Sequence, residues 1–280
     1  MASDTYSSIW VSNSSIGDFL KCSRLYYLKN IYKDPISNHK INLINPHLTL
    51  GQVVHEVLES LSELAVEVRF KDSLIEKFEK TWLNYSGELG GFKDIDEENQ
   101  FKQRGISMIK RVVDNPGPLL NKALKLRDKD PNFSLPRFKL SEEEDILLCG
   151  KIDWLEYMEK DDSVRIIDFK TGMHDEAPDS LQLPIYCLLV KNCQKRKVNG
   201  ISYWYLDRDN KPIDLEIPDL DIAKEEILSL ALQIKDLRKK GIYKCLKGGC
   251  YACEPFEKIV KGDAKMINHI SYQDIYILKD

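Results

Sequence analysis

The most regular feature of the chain is an apolar stripe at helical spacing. Leu50, Val53, Val54, Val57, Leu58, Leu61 and Leu64 fall at i, i+3, i+4, i+7, i+8, i+11 and i+14, on one side of a helix that begins near Thr49. An earlier helix is predicted from about Ile16 to Tyr32: Ser15 and Asp18 read as a capping-box pair ahead of Phe19, Leu20, Leu25 and Leu28, and Asp34-Pro35 ends it. Helical patterns also run through 72–85, 96–114 and 118–127, so residues 1–140 read as mostly helical. From about residue 145 the pattern turns β-branched and aromatic, predicting strands over Ile146–Tyr157, Val164–Lys170, Val198–Leu206 and Ile213–Ile217. A helix over Ser180–Asn192 lies between the second and third of these. That strand–helix–strand order favours a parallel pair, and the sheet is expected to be mixed. A long helix from Leu220 to Lys240 then leads to a cysteine-rich loop, with a last short strand near Ile270–Ile277.

Composition narrows the class without naming a function. The 280 residues are 42% apolar and 31% charged, which rules out disordered and collagen-like chains and is enough for a sizeable core. The longest apolar run, Leu183–Val190, is interrupted by Pro184 and is far too short to span a bilayer. No basic and apolar leader follows Met1, so a cytoplasmic protein with no membrane association is expected. A net charge of −4 argues against a general polycation. It leaves room for local basic faces such as Lys102, Arg104, Lys110 and Arg111, which serve equally as solvated helix surface or as a DNA track.

The candidate chemistry centres on Asp168-Phe169-Lys170. A period of two puts Val164, Ile166, Asp168 and Lys170 on one face of the predicted strand, so a carboxylate and an ammonium point the same way. Asp-x-Lys recurs at Asp209 and Asp263, and alone it reads as a surface ion pair. The copy at Asp168 differs in having Gly150-Lys151-Ile152-Asp153 on an adjacent predicted strand, which brings a second acid near. Two carboxylates at a strand end suit a hard divalent cation such as Mg²⁺. A lysine beside them can place fixed positive charge where negative charge builds on a phosphate. His55 lies at the margin of the apolar stripe with Gly51 one turn earlier, where open space is expected. Gln182 and Tyr186 share a face of the following helix. Each of these has an ordinary structural reading when taken singly.

Cys245, Cys250 and Cys253 crowd into nine residues, whereas Cys149, Cys187 and Cys193 sit in apolar or helical surroundings and read as small hydrophobes. In a reducing compartment the crowded set is not a disulfide framework. Four thiolates suit either an iron–sulfur cluster or tetrahedral Zn²⁺, and free thiols stay open as the plain alternative.

Gly51-x-x-x-His55, Gly150-x-x-Asp153, Asp168-x-Lys170 and Gln182-x-x-x-Tyr186 occur in the order found in RecB-like nucleases, and together the chain resembles that branch of the PD-(D/E)XK superfamily. With Cys22 early and three late cysteines it looks most like the CRISPR-associated RecB-like exonucleases and the iron–sulfur nuclease domains of recombination helicase–nucleases. The segment from Ser14-Ser15 through Cys22-Ser23-Arg24-Leu25-Tyr26-Tyr27 also resembles their first helix. The resemblance covers residues 12–256, with no motif assigned over 66–140.

The resemblance implies a restriction-endonuclease-like α/β fold as one nuclease domain over 1–280. Within it, 1–140 would be a helical portion carrying Cys22 and His55, 141–218 the catalytic sheet core, and 219–280 a helix plus cysteine loop. It implies a Mg²⁺- or Mn²⁺-dependent deoxyribonuclease in which His55, Asp153, Asp168 and the Phe169 carbonyl hold the ion. Lys170 would be the catalytic lysine, with Gln182 and Tyr186 ordering the site and substrate. Cys22, Cys245, Cys250 and Cys253 would hold a 4Fe-4S cluster, with Zn²⁺ the alternative because Cys245-x4-Cys250-x2-Cys253 puts the close pair last. Single-stranded DNA ends would be the substrate, in CRISPR adaptation or DNA repair and recombination, alongside a separate helicase or CRISPR adaptation proteins. The competing expectation is an inactive nuclease-like module that binds DNA or scaffolds partners.

Overall fold

The computed structural model describes residues 8–279. The chain opens with a short strand, β1 (Ile9–Val11), then α1 (Asn13–Lys21) and α2 (Ser23–Asn30). The single helix expected over 16–32 is thus two helices, broken at Cys22, whose extended backbone closes α1 and precedes α2. Ser12, not the Ser15/Asp18 pair, begins the capping box: its hydroxyl accepts from the Ser15 N–H, and the Ser15 hydroxyl accepts from the Ser12 N–H. Asp18 is buried instead, held by Lys29 at 2.8 Å and Asn30 at 3.1 Å.

After β2 (Lys40–Leu43), Asn45 caps α3 (Pro46–Glu59), and Pro46 at its first turn gives up an N–H that has no helical partner there. Leu50, Val53, Val54, Val57, Leu58 and Leu61 are all buried, but Leu64 lies beyond the helix and is exposed. The stripe packs against α4 (Leu74–Trp82) and α5 (Ile95–Asp114) through Phe78, Trp82, Met108, Ile109 and Val112. The helix expected over 118–127 does not form. Pro116 and Pro118 limit this stretch to a 3₁₀ turn at Gly117–Leu120, and β3 (Ala123–Leu124) finds its backbone partners on another strand.

The strand expected over 146–157 is likewise two strands in two sheets. β4 (Arg137–Ser141) and β5 (Ile146–Cys149) join β1 in the order β1-β5-β4, whereas β6 (Trp154–Met158) belongs to the central sheet. The turn at 150–153 carries the chain across. Next come β7 (Ser163–Lys170), α6 (Gln182–Cys193), β8 (Val198–Tyr205), β9 (Ile213–Leu215) and α7 (Leu220–Lys240). The central order is β3-β6-β7-β8-β9, parallel only between β7 and β8, which α6 connects. The sheet is therefore mixed, as the strand–helix–strand order predicts.

Both faces of β7 are covered, which explains its near-continuous apolar run. Val164 and Ile166 join α6 and α7 in one core cluster, while Ile167 and Phe169 join α3, α4 and α5 in another. Two further C-terminal elements follow: α8 (Glu254–Lys261), a short helix that buries Phe256 and Ile259, and β10 (Ala264–Ile270). The last strand, β11 (Gln273–Leu278), pairs antiparallel with β10 and parallel with β2. No helix among the described residues is long and apolar enough to cross a membrane.

Candidate active site

β6 and β7 run antiparallel with Trp154 opposite Ile167, so one further step of the ladder sets Asp153 opposite Asp168. Asp153 lies in the turn before β6, not on a strand, and its Oδ2 accepts the Phe169 backbone N–H at 2.9 Å. From α3, His55 Nδ1 stands 3.5 Å from Asp153 Oδ2 and 3.5 Å from Glu59 Oε1. Donor atoms of His55, Glu59 and Asp153 lie within 4.8 Å of one another. The space expected beside Gly51 is absent: a Cβ there would lie 3.2 Å from the Thr171 hydroxyl, so the glycine lets α3 approach the end of β7.

Asp168 is 1% exposed. Its Oδ1 accepts from Gln182 Nε2 at 2.6 Å, and Lys170 Nζ lies 3.0 Å from its Oδ2. That contact is an ion pair without hydrogen-bond geometry, so Oδ2 is a buried carboxylate oxygen with no hydrogen-bond partner. Lys170 Nζ also donates to the Gln182 side-chain oxygen, Oε1, and pairs with Glu176 at 2.8 Å. Gln182 Nε2 reaches the Tyr186 hydroxyl at 3.1 Å. One amide therefore ties together the acid and the amine of β7 and the tyrosine one turn along α6.

Burial, reinforced by the charge on Asp153, pushes the Asp168 carboxyl up to about 7. Burial alone would lower the His55 imidazole, but Asp153 and Glu59 outweigh it and raise it to about 10. For Lys170, too, burial works against the charge, and Asp168 and Glu176 overcome it to raise the ammonium to about 12. The Tyr186 phenol is raised by burial and by both aspartates, so it stays neutral. A pocket that retains a proton on imidazole and lifts a carboxyl toward neutrality has excess negative charge. The nitrogen and oxygen donors of His55, Glu59 and Asp153 fit a hard divalent ion, and Asp168, whose Oδ2 is ion-paired with Lys170, lies outside that group. His55, Glu59, Asp153 and Tyr186 line a cleft of about 1020 Å³, with Lys125 and Arg127 on its wall.

The structure thus brings Asp153 to His55, and Asp168 to Lys170, Gln182 and Tyr186. Two further acids join them that the sequence motifs do not mark. Glu59 stands at i+4 from His55, a spacing that signals a shared face. Glu176 lies in the loop between β7 and α6, where no periodicity marks it; its backbone N–H donates to the Tyr205 hydroxyl at 2.9 Å.

Far along the chain from these residues, the Sγ atoms of Cys22, Cys245, Cys250 and Cys253 also fall within 4.8 Å of one another and form a group able to hold a metal. Cys22 sits at the α1–α2 break and Cys253 immediately before α8, so the group joins the first helices to the last. Cys250 and Cys253 sulfurs are 3.5 Å apart, and hydrogen bonds from the Cys253 and Ala252 backbone lower the Cys250 thiol to about 7. Of the remaining cysteines Cys187 is buried, while Cys149 and Cys193 are half-buried with their sulfurs against backbone carbonyls.

A central mixed sheet whose middle strand ends in acid-x-lysine defines a class of nucleases, and the sequence carries the same signature over most of its length. Residues 11–255 match the PD-(D/E)XK nuclease superfamily, and the chain belongs to it. The chain is also similar to a subunit of the ATP-dependent helicase/deoxyribonuclease of Listeria welshimeri, 32% identical over 114 residues. That alignment covers 36% of this chain and 10% of the relative, so the chain spans a small part of that protein's length.

Proposed function

We propose that this nuclease is a Mg²⁺- or Mn²⁺-dependent DNA exonuclease acting at single-stranded ends. The observation that carries the reading is the buried Asp168 carboxylate, with one oxygen held by Gln182 and the other lacking a hydrogen-bond partner, beside Asp153 and Lys170. Asp153, Asp168, His55 and the Phe169 carbonyl would hold the ion, which supplies activation of water and neutralisation of charge at phosphorus when bound. Glu59 is within reach as a further oxygen donor.

The chain's own groups do the rest. Lys170 stays protonated because two carboxylates surround it, and it provides fixed positive charge to a phosphate whose negative charge rises in the transition state. Gln182 binds Asp168 and Lys170 at once and so holds the acid and the amine in one arrangement. Tyr186, kept neutral, offers a hydroxyl to a phosphate or base. Arg127 lines the cleft where an incoming strand's phosphates would pass, and Lys125 and Lys151 would meet them by exchanging their present partners Glu63 and Glu59.

At the cysteines we place a 4Fe-4S cluster on the resemblance to the CRISPR-associated and recombination nucleases, with a role in holding the fold. Zn²⁺ would satisfy the same four thiolates, and iron analysis of anaerobically purified protein separates the two. The same resemblance supports work with a helicase or with CRISPR adaptation proteins, in trimming or resecting DNA.

The test is cleavage of end-labelled linear single-stranded DNA and of circular single-stranded DNA in Mn²⁺. The linear substrate should be degraded and the circle spared, and Asp168→Ala and Lys170→Ala should be inactive. Undiminished cleavage by both variants would remove these residues from the mechanism. Binding without cleavage under every divalent ion would mark an inactive DNA-binding module.

A further inference from the structure

A second convergence of imidazole and carboxylate lies outside the nuclease cleft, in the sheet β10-β11-β2. Asp274 on β11 is 4% exposed, and its Oδ1 is met by His39 Nδ1 at 3.0 Å and His269 Nδ1 at 2.9 Å. His269 and Asp274 are cross-strand partners in the β10–β11 hairpin, and His39, just before β2, comes from the other end of the chain. The two imidazole rings lie 4.4 Å apart at a 32° tilt, and Tyr272 flanks His39 edge-on. The other oxygen of Asp274 accepts from the Ser37 hydroxyl at 2.6 Å.

Both contacts have hydrogen-bond lengths, and they also gather two imidazole nitrogens and a carboxylate oxygen within 4.8 Å of one another. Among the described residues the ion-pair partners of Asp274 are these two histidines, so with neutral rings a buried negative charge faces only neutral donors. A cation at the shared focus offsets that charge. The 2.9 and 3.0 Å separations are hydrogen-bond distances and fall short of the roughly 3.3 Å between neighbouring ligand atoms around a tetrahedral ion bonded at about 2.0 Å, so the three atoms spread by a few tenths of an ångström to admit the ion. Two nitrogens and one oxygen select a borderline transition ion over Mg²⁺, and the Ser37 contact is the outer hydrogen bond that orients such a carboxylate.

We propose that His39, His269 and Asp274 form a divalent transition-metal site of the zinc type, separate from both the nuclease cleft and the cysteine group. His269 is half-exposed, which leaves the remaining coordination position to water. Bound metal ties the segment before β2 to the β10–β11 hairpin, more than two hundred residues away along the chain.

The test uses the full chain, Zn²⁺ as the probe and Mg²⁺ as the control. Metal content is measured after gel filtration in the parent, His269→Ala and Ser37→Ala, with folding checked by circular dichroism. The site predicts that His269→Ala retains about one zinc fewer per chain and no longer shows the Zn²⁺-dependent rise in Tm, while Mg²⁺ has no such effect on either protein. Ser37→Ala should weaken zinc binding by roughly 10- to 100-fold without abolishing it. Equal zinc content and an equal Tm response in folded His269→Ala and parent would overturn the proposal. The nuclease reading is untouched by that outcome, because neither substitution lies in the cleft.

Discussion

Phe169 donates its backbone N–H to Asp153 Oδ2 at 2.9 Å, so the acid of the turn before β6 is fixed by the residue that separates the acid and the lysine of β7. The two carboxylates are thereby set by one ladder. Asp168 is placed by the alternation of β7, and Asp153 by a main-chain donor of the same strand. A side-chain change at 169 leaves that donor in place, whereas a register slip between β6 and β7 would separate the acids.

Lys170 is held by Asp168, Glu176 and Gln182, and its proposed work is confined to the transition state. Lys170→Ala is expected to lower the single-turnover cleavage rate by about 10²–10³-fold while leaving single-stranded DNA affinity nearly unchanged. Glu176→Gln should lower the rate less, since it loosens the lysine without removing it. Rapid-quench kinetics beside a filter-binding titration separates rate from affinity.

The raised carboxyl of Asp168 makes a pH prediction for metal-free protein. Its folded value of about 7 lies above the ordinary value of about 3.9, so its contribution to stability is present at low pH and lost as pH rises toward and through 7. In chelator, the Tm of the parent minus that of Asp168→Asn should therefore fall between about pH 4 and pH 7.5. A flat difference across this range would mean that the carboxyl is not raised.

Removing one cysteine ligand should act on the fold before it acts on chemistry. Cys22→Ser is expected to lose the bound metal and to lower stability by about 2–5 kcal/mol, comparable to deleting a native long-range cross-link. Because the group joins α2 to α8, hydrogen exchange should rise first in those helices. Denaturant unfolding with parallel metal analysis reads both effects.

Gly105 on α5 is a packing constraint that no catalytic argument touches. A Cβ there would meet Phe78 Cζ at 2.4 Å and Leu50 Cδ1 at 3.0 Å, both in the buried seam of α3, α4 and α5. Gly105→Ala should destabilise by about 1–3 kcal/mol through overpacking, despite the better helix propensity of alanine. Urea denaturation measures the difference.

The sequence by itself determined the elements whose burial follows one period. The α3 stripe, α5, α7, β7 and β8 were legible because each covers a continuous apolar face, and Asp168 and Lys170 inherited a common direction from the alternation of β7. Tertiary structure decided what local pattern does not encode. The chain breaks at Cys22, where the cysteine group forms, and at 150–153, where it changes sheet, and β3 pairs with β6. Glu59 came to Asp153, and His39 to His269 and Asp274, by long-range closure, while Glu176 came to Lys170 by the fold of an aperiodic loop. The physical reason is that a hydrophobic period records which side of an element is buried. The partner of a charged side chain is fixed only when elements distant in sequence pack and bring their ends to one place.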